Sequence, residues 1–456
     1  MASLQIESSM PISRKVEILQ NFLAREYFHK SGIIYTSWYW RADELRPWKA
    51  EDRRPDQAYP HTSAGFTPEG HNSAENSPMV SGLFLQSQCL RYIATGAAEA
   101  LEYAAKAFHS LDLIYRLTEA DGREGFICKP YDWKASAETS IDQYTFVMMG
   151  LWEYLALADH ATRQRIARML AKMADWWRVS ADYHITYFER RIPLLPYHAP
   201  RLACLNAMAY RATGDETYAA ESSKMLGLSG AWPTIYDAQR KLILDADPAT
   251  LRRDDDFQDY DPRRGRFLFR TREVGGEMYL GLACADWFMR NDAQHMPLLK
   301  HVVARYTRQM QFGLRDDLLT LYGFELDLEK ETWRAVHTTA TPEQRANALA
   351  GSLIGTYFSE VCWGDFASRI PDACVIAHQH AREFSPGSLD LSRRMLQRLD
   401  NERLHWMIDP DGKQLLPELD WMRWMLSGDA PVFTLLAYWK ARARLSPRDL
   451  AHFESP

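Results

Sequence analysis

No stretch of this sequence approaches the ~20 apolar residues of a membrane span. Cysteine is sparse and scattered. Cys89, Cys128, Cys204, Cys284, Cys362 and Cys374 form no CxxC and no short pairing pattern, so reduced, buried thiols are expected rather than a disulfide framework. Positive charge is in deficit: 54 Lys+Arg face 60 Asp+Glu, a net charge of −6. That argues against general nucleic-acid binding, which needs a basic footprint. No Gly/Ser-rich or Pro-rich linker and no low-complexity run divides the chain, so residues 1–456 are expected to form a single domain. Met1-Ala2-Ser3-Leu4-Gln5-Ile6-Glu7 has no basic segment followed by an apolar one. The expected location is cytoplasmic, although a chain trimmed of a signal peptide would read the same. A glycine-rich phosphate loop, G-x-S-x-G and H-E-x-x-H are all missing.

What is present is helix after helix, with a large stock of 15 Trp and 22 Tyr. Apolar residues recur at helical spacing over 13–30, 80–94, 97–118, 143–158, 161–180, 200–212, 215–226, 274–290, 294–313, 343–361, 388–407 and 430–444. Strand-like alternation is confined to 182–189 and 316–325. A weak repeat carries more weight than any one helix. Arg91-Tyr92-Ile93-Ala94-Thr95-Gly96 ends one helix and Ala97 restarts another, and Tyr210-Arg211-Ala212-Thr213-Gly214 followed by Asp215 does the same. A glycine in the left-handed region stops each helix, and each motif is the tip of an αα-hairpin. Ser427-Gly428-Asp429-Ala430-Pro431 is a candidate third tip. Helices in hairpins fit an all-α (α/α)6 toroid, a six-hairpin barrel with a few short strands at the cavity mouth; an open α-solenoid has tighter repeats.

In such a toroid the long loops lead to the N-termini of inner helices, where free N–H groups and the helix dipole favour a polar ligand. The loop 34–79 carries the aromatic run Trp38-Tyr39-Trp40 before Arg41, then Glu75-Asn76-Ser77-Pro78 at a helix start, where Asn76 or Ser77 also serves as an N-cap. The loop 122–142 carries Lys129, Tyr131 and Trp133 and ends at Asp142-Gln143, in the first turn of a helix apolar on most sides. Burial there raises a carboxyl pKa as a general acid requires, while the helix dipole pulls the other way; a plain capping Asp is the alternative. The third loop brings Tyr197, His198 and Arg201 to the start of the helix 200–212.

Two signals are discounted. Asp255-Asp256-Phe257-Gln258-Asp259 spells a magnesium-binding DDxxD but sits in a charged loop. His378-Gln379-His380 places two imidazoles on diverging faces of a helix, with no partner at ligand spacing. No metal and no cofactor is implied.

Glu75-Asn76-Ser77-Pro78-Met79-Val80-Ser81-Gly82-Leu83, the two Ala-Thr-Gly tips, Gly125-Phe126-Ile127 and Ser140-Ile141-Asp142-Gln143 resemble the six-hairpin (α/α)6-barrel glycosidase-like superfamily. The motifs cover about 70–225. The resemblance implies a glycoside hydrolase, similar to unsaturated glucuronyl hydrolases and β-glucuronidase-like enzymes, acting on a terminal uronic acid or related sugar of an oligosaccharide. Asp142 looks like the family's acid/base. The family's second Asp has no identical match, and Glu75 is the nearest candidate. Trp40, Tyr131 and Trp133 would then stack on sugar rings. Arg41, Lys129, His198 and Arg201 would meet a sugar carboxylate, with Asn76, Gln143 and Tyr197 completing the binding set. Expected partners are an oligosaccharide substrate, with neither nucleic acid nor membrane; a homo-oligomer stays open. Two other functions compete: a lyase abstracting a proton beside a uronate, with Tyr197 or His198 as base and Arg201 or Asn76 neutralising the carboxylate, and a non-enzymatic carbohydrate-binding toroid.

Overall fold

A computed structural model describes residues 4–41, 44–49, 52, 65–187, 190–237, 242–244, 246–253, 266–292, 296–321, 323–335, 362–408 and 424–455. They pack as two compact units. The first takes Met1–Gln5, Pro11–Trp232 and Leu426–Pro456, and the second Ile6–Met10 and Pro233–Met425.

The first unit contains α1 (Ile12–Glu26), α2 (Pro68–Ala74), α3 (Ser77–Thr95), α4 (Ala98–Glu119), α5 (Ile141–Leu155), α6 (His160–Asp175), α7 (Ala199–Thr213), α8 (Glu216–Leu226) and the helix Asp429–Arg444. Helices α3, α5, α7 and Asp429–Arg444 are buried along most of their length. Their partners α4, α6 and α8 bury one stripe each, as outer helices should. Pairing is α3 with α4, α5 with α6, α7 with α8, and α1 with Asp429–Arg444.

The two expected hairpin tips are present. Gly96 (φ 67°) and Gly214 (φ 76°) hold the left-handed conformation, and their N–H groups bond back to Tyr92 O and Tyr210 O. Asp215 immediately caps α8 by accepting from Thr217 N at 2.9 Å, so one helix stops and the next starts within two residues. The third expected tip is a correction. Gly428 has φ −64°, and the residues before Asp429–Arg444 are extended, so no helix ends there.

Inner helices α3 and α5 run parallel with their starts abreast. Gln143 Oε1 accepts from Met79 N at 3.1 Å, and Gly82 lies against Phe146 and Gly150. A Cβ on Gly82 would come within 2.3 Å of Phe146 O, and one on Gly150 within 2.4 Å of Gly82 O. The two backbones touch because neither carries a side chain at the crossing.

The second unit holds Thr271–Asn291, Met296–Gln309, Arg369–Ala381 and Ser388–Arg398, beside a sheet in the order Arg252–Arg253, Thr332–Ala335, Gly323–Asp327, Arg266–Arg270. Phe269, Phe312 and Phe324 stack in its core, with Trp333 edge-on to Phe312. The helix Arg369–Ala381 has no counterpart among the expected helices; its Pro371 falls in the first turn, where proline is tolerated. His380 Nε2 is hydrogen-bonded to Asp286 Oδ1 at 2.8 Å. The helix expected over 388–407 ends at Arg398. There Leu399 turns extended, and Asp400 Oδ1 accepts from Arg403 N at 3.0 Å to start a separate short turn. The helix expected over 343–361 and the DDxxD stretch lie outside the described residues.

All six cysteines are buried thiols, none joined in a disulfide. No helix of the described residues is long and apolar enough to cross a membrane.

Candidate active site

The expected site residues lie in the first unit, at the starts of α3, α5 and α7 and on the loops leading to them. The loop before α3 is fastened to α2 and to the start of α3 itself. Thr36 N donates to Ser73 O at 2.8 Å, Thr36 Oγ1 accepts from Asn76 N at 3.0 Å, and Ser77 Oγ donates to Ile34 O at 2.5 Å. The loop before α5 is pinned by α5 itself. Buried Tyr144 donates its hydroxyl to Gly125 O at 3.0 Å and accepts from Ile127 N at 2.8 Å. Lys129 N then donates to Glu138 O at 2.8 Å, closing the loop on itself.

These anchors bring Glu75 and Lys129, 54 residues apart, into contact. Lys129 Nζ donates to Glu75 Oε1 at 2.7 Å, and the lysine side chain is only 4% exposed. His71, one turn before Glu75, sits with Nε2 3.4 Å from Glu75 Oε2. Gln143 Nε2 donates to Asn76 Oδ1 at 2.9 Å, so side chains at the two helix starts join directly. Asp142 is half-buried; its Oδ1 accepts from Gln143 N at 2.9 Å and from Ser140 Oγ. Glu75 and Asp142 each stand one residue from the Asn76–Gln143 bond.

The buried lysine can be tested at once. Lys129→Met is expected to lower stability by about 2 kcal/mol, less than a fully buried pair would cost because Glu75 keeps some solvent. Adding Glu75→Gln should recover part of that loss. A double-mutant cycle by urea unfolding reads the coupling, and strict additivity would show that the pair contributes nothing.

At the start of α7, Arg201 is buried and its Nη1 donates to His198 Nδ1. In neutral His198 the proton therefore sits on Nε2. Burial and the adjacent Arg201 charge hold its pKa well below 6.5. Tyr197 packs edge-on to His198, with centroids 4.8 Å apart. In the second unit, burial lowers His405 to about 4.

Both imidazoles stay neutral in the fold while the unfolded chain takes up protons near pH 6.5. Stability is therefore complete above about 6.5 and falls as pH drops toward the folded-state values, by at most about 1.4 kcal/mol per pH unit for each histidine. His198→Asn keeps an acceptor for Arg201 and is expected to flatten that slope in thermal unfolding followed from pH 7 to 5. An unchanged slope would mean that His198 is protonated in the fold.

Several assigned binding roles need correction. Tyr131 is fully buried, with His71 stacked on it at 5.1 Å and Phe66 tilted against it. Trp40 is 5% exposed, and one face of Trp133 is covered by His29 at 4.0 Å. Tyr131 and Trp40 are walls of the fold, not open platforms for a sugar, whereas Trp133 keeps partial exposure. Gln143 is fully buried, and both ends of its amide hold the α3–α5 register. Arg41 stands at the exposed end of the strand Ser37–Arg41. The side chains left at least partly open are Arg41, Glu75, Asn76, Trp133, Asp142, Tyr197 and His198.

Sequence reasoning missed Asp132. Asp132 and Trp133 both take left-handed φ values, 51° and 62°. Asp132 Oδ2 accepts from Thr67 N at 2.9 Å and Oδ1 from Thr67 Oγ1, locking this turn onto the start of α2. Non-glycine residues there cost about 1–3 kcal/mol each. An Asp inside an aromatic run was the only sequence sign. Among the described residues, no group of His, Cys, Asp and Glu is arranged to hold a metal ion.

A solved structure described as the crystal structure of D-mannose isomerase matches with a TM-score of 0.50 and 10% sequence identity, over 93% of this chain and 95% of that chain. The likeness is one of fold. It shows the all-α toroid class expected from the hairpin rhythm. No protein-family model matches the sequence, and no curated protein matches it.

Proposed function

We propose that this chain is a carbohydrate-processing enzyme that moves a proton on a sugar held over the starts of α3, α5 and α7. The observation that carries this is the Asn76–Gln143 hydrogen bond, which joins the starts of two inner helices one residue from Glu75 and one residue from Asp142. The reaction it supports best is isomerisation of a free monosaccharide. Asp142 would take a proton from the hydroxyl-bearing carbon beside the carbonyl and return it to the former carbonyl carbon, while His198 Nε2–H gives its proton to the carbonyl oxygen and the same nitrogen takes up the proton of the neighbouring hydroxyl. The reaction is redox-neutral and needs no water. The neutral His198 favours it, and so does the fold shared with a D-mannose isomerase. The Arg201 bond to Nδ1 makes His198 a donor rather than the base a lyase would need.

A second reading is the glycoside hydrolase, acting on a terminal uronic acid with Asp142 as acid/base and Glu75 as partner. It rests on the same two carboxyl groups. Glu75 Oε1 accepts from the Lys129 ammonium, so in this reading Asp142 gives the proton to the leaving oxygen and Glu75 serves as the carboxylate.

One assay separates these. Purified protein is incubated with free D-mannose and related aldoses and ketoses, and with unsaturated uronyl oligosaccharides. Isomerisation gives new sugar signals in proton NMR with no change in near-ultraviolet absorbance. Loss of absorbance from the unsaturated substrates marks the hydrolase, and a gain from polyuronides marks a lyase. Silence across the whole panel would overturn the enzyme assignment in favour of a sugar-binding toroid.

A further inference from the structure

The two amide side chains at the starts of α3 and α5 form a relay whose direction is fixed at one end. Which way an amide points is decided by its partners. Met79 N is a backbone donor and cannot accept. It meets Gln143 at 3.1 Å, so the Gln143 atom there is the oxygen. The other end of Gln143 is then Nε2, which can only donate, and it does so to Asn76 Oδ1 at 2.9 Å. Asn76 therefore spends its oxygen on Gln143, and its own Nδ2, with two N–H donors, points away from that bond. Gln143 is fully buried, which leaves no solvent partner to reverse the relay.

Asn76 also differs from an ordinary helix cap. As N-cap of α3, its side-chain oxygen would normally accept from an N–H of the first turn. Asn76 makes no such bond. The N–H of Met79, third residue of the helix, is taken by Gln143 from the neighbouring helix instead. The cap is thus supplied by α5, and Asn76 is released from it. Asn76 is half-buried. Among the described residues its Nδ2 has no hydrogen-bond partner, and it is not one of the unpartnered atoms sealed from solvent. Beside this open donor, Glu75 precedes Asn76 in the chain, and Asp142 precedes Gln143 across the relay.

We infer that Asn76 gives the sugar a hydrogen bond through Nδ2, and that Gln143 is a positioning residue that holds Asn76 in this sense without touching the sugar. The inference rests on the reading that a sugar lies over these helix starts. It adds a requirement: where Nδ2 points, the sugar presents an acceptor, a hydroxyl or carbonyl oxygen, and a group that only donates is rejected.

Deoxy and deoxyfluoro sugars read this polarity, because fluorine accepts a hydrogen bond and cannot donate one. D-mannose and its deoxy and deoxyfluoro derivatives at each hydroxyl-bearing carbon are titrated into the full-length protein by calorimetry, and turnover of D-mannose is followed by proton NMR. In the wild type, at one position, the deoxy sugar is expected to bind about tenfold more weakly than D-mannose, the upper worth of one neutral hydrogen bond. At that position the deoxyfluoro sugar should bind more tightly than the deoxy sugar. Asn76→Ala should abolish this gap. Gln143→Glu tells a relay from a spacer. Its carboxylate still accepts from Met79 N, at a helix start where negative charge is favoured. It cannot donate to Asn76, which must turn Nδ2 inward and Oδ1 towards the sugar. The order should then reverse, with the deoxyfluoro sugar weaker than the deoxy sugar, at an unfolding temperature close to that of the wild type. Asn76→Asp makes the same reversal from the other side, one oxygen accepting from Gln143 and the other facing the sugar, and serves if Gln143→Glu does not fold. If Gln143 only sets the helix register, the order stays as in the wild type. The inference is overturned if no position in the wild type favours fluorine over hydrogen, if the gap survives Asn76→Ala, or if the order survives Gln143→Glu and Asn76→Asp. No saturable binding of D-mannose overturns both the inference and the reading beneath it, whereas the expected order without turnover overturns the isomerase alone.

Discussion

Asp142→Asn is expected to lower turnover of the best sugar substrate by about 10²–10⁴-fold, the usual loss when a group that transfers a proton is removed. Asparagine keeps the shape and an acceptor oxygen, so the Ser140 hydroxyl and the Gln143 amide keep their partner at the first turn of α5. The fold should therefore lose only about 0.5 kcal/mol through the weakened interaction with the helix dipole. The loss should appear in kcat, with KM little changed, because the amide still fits where the carboxylate stood. Steady-state kinetics with thermal unfolding of the same samples reads both. Full activity in Asp142→Asn would remove Asp142 from the chemistry under either reaction class. A collapse in stability would show that it only caps the helix.

The largest stability effect is expected at Gly82. Ordinary overpacking costs about 1–3 kcal/mol when side chains yield. At Gly82 the obstacle is backbone: a methyl group there would stand 2.3 Å from Phe146 O, 2.5 Å from Phe146 C and 2.8 Å from Val147 N. Those atoms are held by α5's own hydrogen bonds, so α3 and α5 must move apart. Gly82→Ala should cost about 3 kcal/mol or more, and Gly82→Val should prevent accumulation of folded protein. Separating the helices also stretches the Asn76–Gln143 bond, so residual activity should fall further than stability alone explains. Gly96→Ala is the control. Nothing lies within 4 Å of its Cβ position, and only the left-handed backbone (φ 67°) penalises it, at about 1 kcal/mol. Chemical denaturation compares the two directly; equal costs would mean that the α3–α5 contact yields to a methyl group.

Local signals explain what was legible in the sequence. Gly96 and Gly214 could be read because a left-handed cap followed at once by a new helix is decided within a few residues. The buried character of α5 could be read because Phe146, Val147, Met148 and Met149 leave no polar face. The pairing of Lys129 with Glu75 could not be read, since it depends on two loops closing over 54 residues, each fastened by groups such as Thr36 and Tyr144 that look unremarkable in the chain. The aromatic residues misled for a different reason. Composition counts rings but does not tell a wall from a platform, and Tyr131 spends its face on His71 and Trp133 on His29. Gln143 misled similarly: a polar side chain beside an acid suggested ligand contact, but both ends of its amide are consumed in helix registration.

The π-helical turn Trp176–Ser180 at the end of α6 makes chain length itself a determinant of the molecule. A π-helical turn is the trace of one residue more than an α-helix needs. If Val179, which is 68% exposed, were deleted, α6 could continue in regular register. Every residue beyond that point would then swing by about 100° around the helix axis. Ala181 would take the place of Ser180, and the hairpin His184–Pro193 that follows would leave the helix in another direction. Related chains differing by a single insertion or deletion at this turn should therefore divide into those that aim this hairpin as here and those that do not, however similar their remaining residues.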